Sequence, residues 1–150
     1  MNERVGSAVL LWALSLAAWG AGPAVAAHVD RSWFTVSGDP SLPGAETVQV
    51  DPEALRSEGD ARTMRVRVSR SQERRNWDDV PYRSYESRVV INCRSRRAHY
   101  LDAVFYSKPQ WEGAVHHVAD YQKNPQPMLF KGMTPNPTER IIRAACRPPG

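Results

Sequence analysis

The sequence predicts an α+β fold: an antiparallel sheet of about five or six strands, a C-terminal helix packed on one face, and one disulfide. Three observations predict it. Apolar residues alternate with polar ones at Met64, Val66 and Val68, and Tyr85, Ser87, Val89 and Ile91 share one face at the same period, that of a half-buried strand. Near the C-terminus the period lengthens, so that Ile141, Ile142 and Ala145 fall on one side of a helix. Two cysteines, Cys93 and Cys146, belong one to each pattern. With 12 Pro and 9 Gly in 150 residues, turns are favoured over a helical bundle, and the length suits one domain.

The first 27 residues read as a signal peptide. Arg4 precedes an apolar run from Val5 to Trp19, and Gly20, Gly22 and Pro23 then break any helix. Small residues follow, and Ala24-x-Ala26 and Val25-x-Ala27 both suit signal peptidase, which places the cut after Ala26 or Ala27. The apolar core is shorter than the roughly 20 residues of a membrane span. No Cys lies near the cut, so a lipid anchor is not expected. The exported chain, residues 28–150, is expected to be a soluble single domain with its core over about 33–146. The periplasm is the expected destination, with the cell surface or the medium as alternatives.

Along that chain, Trp33-Phe34-Thr35-Val36 is a short β-prone run, and Gly38 to Gly44 is a loop by composition. Thr47 to Val50 alternates and is expected to stop at Asp51-Pro52. The strand at Met64–Ser69 carries Arg65 and Arg67 on its outer side. Ser71 to Pro81 is polar and reads as a hairpin loop. The strand at Tyr85–Cys93 follows, with Glu86, Arg88 and Asn92 facing away from the core. After a tight Arg94-Ser95-Arg96 connection, Arg97 to Tyr106 is dense in β-formers. Ala114 to Ala119 is a further strand, and Asn124 to Pro127 a turn. In the last element Asn136 suits the helix N-cap, Pro137 the first position, and Glu139 a capping box. A helix of about ten residues is not stable alone and must dock.

Export gives the cysteines their meaning. In an oxidising compartment an even pair is usually a disulfide, and this one closes a loop of about 54 residues, worth on the order of 4 kcal/mol. A redox role wants Cys-x-x-Cys, which is absent.

No motif for catalysis, cofactor or metal stands out, and the protein is not expected to be an enzyme. Of four His, His28 lies at the new N-terminus, and His116 and His117 are adjacent on a strand and so point to opposite faces. With His99 they match no zinc-ligand spacing. Ser84, His99 and Asp102 supply the residue types of a hydrolytic triad, but no nucleophile elbow presents the serine. Neither a phosphate-binding glycine loop nor a dinucleotide fingerprint is present.

Arginine is the biased residue. Between Arg62 and Arg97 there are eleven Arg against four acids, in a chain of net charge +4. If Arg65, Arg67 and Arg88 share the solvent face of one sheet, they form a patch suited to anionic groups. For an exported protein these are acidic glycans, lipid phosphates or acidic proteins, and nucleic acid is not an expected partner. The competing reading is a solvated face on which arginine discourages edge-to-edge pairing.

The order Trp33, Val50-Asp51-Pro52, Ser84, Val90-Ile91-Asn92-Cys93, Tyr106, Gly113 and Ala145-Cys146 resembles the surface-adhesin protein E-like family, small exported proteins of Gram-negative bacteria. The resemblance covers about residues 33–146. It departs at Asn92, where the family often has Asp, and at Met64 and Met128, near which aromatic residues are expected. It implies an antiparallel sheet with a packed helix, and a non-enzymatic binding protein that contacts host extracellular-matrix or serum proteins. The alternative is a soluble periplasmic structural or envelope accessory protein without adhesin activity.

Overall fold

The computed structural model describes residues 33–147, so the signal-peptide expectation for 1–27 lies outside the described residues. Seven strands form one antiparallel sheet: β1 (Phe34–Ser37), β2 (Thr47–Glu58), β3 (Ala61–Arg75), β4 (Pro81–Asn92), β5 (Arg97–Tyr106), β6 (His117–Asp120) and β7 (Gln126–Pro127). The spatial order β1-β2-β3-β4-β5-β6 follows the chain, and β7 also pairs with β5. A 3-10 turn, Pro109–Trp111, lies between β5 and β6, and one helix, α1 (Thr138–Ala145), ends the fold.

The expected class holds, with more strand than expected. β2 does not stop at Asp51-Pro52. Its register with β3 shifts between Asp51 and Arg56, so Pro52, which has no N–H to donate, falls where regular pairing lapses. β3 likewise passes a second irregularity between Ser69 and Arg74 and runs to Arg75, taking in half of the expected loop. The hairpin shortens to Asn76–Val80, where the Asn76 Oδ1 accepts the N–H groups of Asp78 and Val80. The sixth strand begins at His117 rather than Ala114, and Gln126-Pro127, expected as a turn, pairs with Tyr100 and His99.

The inner face of the sheet carries the core. Val48, Val66, Val68, Val89 and Ile91 are fully buried there, and Ile141, Ile142 and Ala145 of α1 pack against it with Met128, Phe130 and Met133. The helix starts one residue later than its sequence indicates: Pro137 is the N-cap, and Asn136, just before it, accepts the Thr138 N–H on Oδ1 at 2.9 Å. It is shorter than expected, eight residues, and Glu139 does not close a capping box. Its carboxylate instead takes Arg96 at 2.7 Å, a longer reach that ties the helix to the β4–β5 turn. The Cys93–Cys146 disulfide joins the end of β4 to the end of α1, as expected.

Candidate functional site: the outer face of the sheet

Cross-strand register decides which side chains share the outer face. One row across five strands reads Asp51, Arg65, Arg88, Asp102, Asp120. The next reads Thr35, Gln49, Arg67, Glu86, Val104, Val118. Arg65, Arg67 and Arg88 therefore do share one face. What the spacing along single strands did not display is the set of carboxylates among them. Arg65 reaches diagonally to Glu86 at 3.4 Å, and Arg88 meets Asp102 at 3.0 Å. Three cations stand among four acids in these two rows, so the face is charge-compensated rather than a bare basic patch.

Arg67 has a different environment. Its guanidinium lies between two indoles, 4.0 Å from the Trp111 ring centroid and 4.4 Å from that of Trp33, within cation–π range. Its Nε donates to Gln49 Oε1 at 2.6 Å, and the Gln49 amide in turn donates to Thr35 Oγ1. Burial between the rings pulls the guanidinium down from its ordinary value, and the nearby Glu86 charge opposes that shift. The cluster is thus held at three points before any partner arrives.

The 3-10 turn is what puts Trp111 there. Gln110 and Trp111 both take left-handed φ, 55° and 60°, unusual for residues with a Cβ. Two buried serines hold them in place. The Gln110 N–H donates to Ser69 Oγ at 3.0 Å and the Trp111 N–H to Ser84 Oγ at 2.9 Å. The Ser84 hydroxyl donates onward to the Lys108 carbonyl, and the Trp111 indole N–H reaches the Tyr85 carbonyl at 3.0 Å. Ser69 and Ser84 face outward on their strands yet are buried, because the turn lies over them.

The same bonds give Ser84 a structural role. His99 pairs with Val90, six positions along β4 from Ser84, a separation of roughly 20 Å at strand spacing, so no triad assembles. His117 turns toward Phe105 and Asp78, while His116 is exposed, and no cluster of three His, Cys, Asp or Glu among the described residues could hold a metal ion.

A family model described as surface-adhesin protein E matches residues 33–147, the whole of the described fold. The chain belongs to the surface-adhesin protein E family. No curated protein and no solved structure matches it. Family membership agrees with the resemblance carried by Trp33, Cys93 and Cys146, and accords with an exported protein. Trp33 opens the matched region and stacks on Arg67, while Cys146 lies one residue from its end. The role of Trp111 was not legible in the sequence. The only local cue is Pro109, which favours a turn but says nothing of where the indole will lie.

Proposed function

We propose that this member of the surface-adhesin protein E family is an exported, non-enzymatic binding protein that engages a host extracellular-matrix protein through the outer face of its sheet. The observation that carries this reading is the Trp33–Arg67–Trp111 stack. Trp and Arg are the residues most enriched where protein interfaces concentrate their energy, and rigid anchors lose little entropy on binding. Around the stack, Arg65, Arg88, Glu86 and Asp102 form a rim of both signs. Such a rim selects a partner surface of complementary mixed charge. It suits a protein better than a glycan or lipid phosphate, which the interleaved carboxylates would repel.

The test is binding of the purified protein to immobilised matrix proteins, run beside a heparin column. The expected result is saturable matrix binding that Trp33→Ala weakens tenfold or more, with heparin retention no greater than a net charge of +4 gives. Tight heparin retention that Arg65→Gln/Arg67→Gln/Arg88→Gln abolishes would favour the polyanion reading instead. Absence of matrix binding, with release of the protein by osmotic shock alone, would favour the periplasmic accessory role.

A further inference from the structure

On the opposite face of the sheet a cavity of about 420 Å³ opens between β3, β4, β5 and the chain around Leu129. Its walls are aromatic and aliphatic: Trp77, Tyr82, Phe105, Leu129 and Phe130. Two of these stay open to solvent, Trp77 at 52% and Leu129 at 46%, as at a mouth rather than in a core.

At the bottom lie Tyr85 and Tyr100, both buried, with their hydroxyl oxygens 2.6 Å apart. Burial pushes both hydroxyls well above the ordinary tyrosine range, so both remain protonated. The pair therefore carries two O–H protons, and the hydrogen bond between them uses one. Whichever ring donates, the other has a proton left over, and neither hydroxyl makes a second bond among the described residues. A buried O–H without an acceptor is uncommon, and this one can donate to an oxygen that enters the cavity.

Charge points the same way. Arg70, Arg74, Arg75 and Lys131 line the cavity, and no Asp or Glu does. Arg70 is matched by Glu46 at 3.0 Å and Arg75 by Asp79 at 3.4 Å. The side chains of Arg74 and Lys131 form no ion pair with any described residue.

We propose that this cavity binds an amphiphilic carboxylate, one acid group on an aromatic or branched apolar body. The carboxylate accepts a hydrogen bond from the spare tyrosine O–H and pairs with the cations of Arg74 and Lys131, while the apolar body lies against Trp77 and Phe105. A free organic acid and the C-terminal residue of a peptide share this chemistry. The site lies on the other side of the sheet from the Trp33–Arg67–Trp111 stack and does not rest on that reading.

The experiment follows the Trp77 indole resonance of the purified protein by NMR, assigned with Trp77→Phe, during four titrations. The probes are indole-3-butyrate, its amide, and a tetrapeptide ending in Phe as the free acid and as the amide. Each acid should shift the resonance and bind at least tenfold more tightly than its amide. The acid that binds more tightly identifies the source. Tyr85→Phe/Tyr100→Phe, which keeps the shape, should weaken acid binding about tenfold, and Arg74→Gln several-fold. The proposal is overturned if neither acid shifts Trp77 at millimolar concentration, or if acids and amides bind alike. Unchanged acid binding in the double Phe variant would overturn it equally, and the comparison of acid with amide stands even if that variant fails to fold.

Discussion

On the outer face, Arg65 and Arg88 stand opposite each other, and each meets a carboxylate from a neighbouring strand, at 3.4 and 3.0 Å. On the inner face, Arg70 meets Glu46 at 3.0 Å, but its side chain is only 6% exposed where those of Arg65 and Arg88 are 29% and 40%. β3 alone thus presents one cation type in two settings, Arg65 outside and Arg70 inside. Outside, a pair is screened by water and replaceable. Inside, the pair anchors architecture, because Arg70 also donates to the Lys131 carbonyl and so holds the chain that borders the cavity. Counting arginines along the sequence cannot separate these roles, since burial and the position of the nearest acid decide them.

The contrast can be broken most severely at the covalent link that keeps the inner face covered. Replacing Cys93 and Cys146 by Ser should cost on the order of 4 kcal/mol, by release of the loop they close, seen as a lower urea midpoint. An unchanged midpoint would mean that α1 holds its place by packing alone. Next in size is the inner ion pair. Glu46→Gln leaves Arg70 buried and short of its counter-charge and also weakens the bond from the Ser71 hydroxyl, at a cost of about 3 kcal/mol.

A pH effect sharpens the same comparison. Tyr85 and Tyr100 have folded-state values raised above the ordinary 10.0 by burial. Below pH 10 both are protonated whether the chain is folded or not, and their contribution is complete. Above it the unfolded chain releases protons that the folded chain keeps, so stability falls as pH rises. The thermal midpoint should therefore drop more steeply above pH 10 in the parent protein than in Tyr85→Phe/Tyr100→Phe, and equal slopes would contradict the burial argument. The smallest effect belongs to the outer face. Arg65→Ala should change stability by less than about 1 kcal/mol in the same urea titration.

Much of the fold was legible because it rests on local pattern. The alternation of Met64, Val66 and Val68 marks an inner face, and Asn136 marks a helix start, through interactions within a few residues. The extent of β2 and β3 was not, because both strands pass through register shifts that an alternation rule treats as ends. For the site, Arg65, Arg67 and Arg88 were placed on one face correctly, yet their partners arrive from strands far away in sequence. Glu86, Asp102 and Trp111 lie 21, 14 and 44 residues from Arg65, Arg88 and Arg67 respectively, and only the register brings them together. Glu139 shows the converse: its sequence position suited a capping box, but Arg96 offered a full charge where the cap offered only a backbone N–H.

The division of labour between the two faces is tested most directly by one paired measurement. Trp33→Ala removes a ring from the outer stack, and Trp77→Ala removes one from the wall of the inner cavity. Both proteins would be titrated with an immobilised matrix protein and with indole-3-butyrate, the latter by calorimetry. The expected result is a crossed loss: Trp33→Ala weakens matrix binding tenfold or more and leaves the acid unaffected, while Trp77→Ala does the reverse. Loss of both activities in either variant, or of neither in both, would contradict the assignment of separate functions to the two faces.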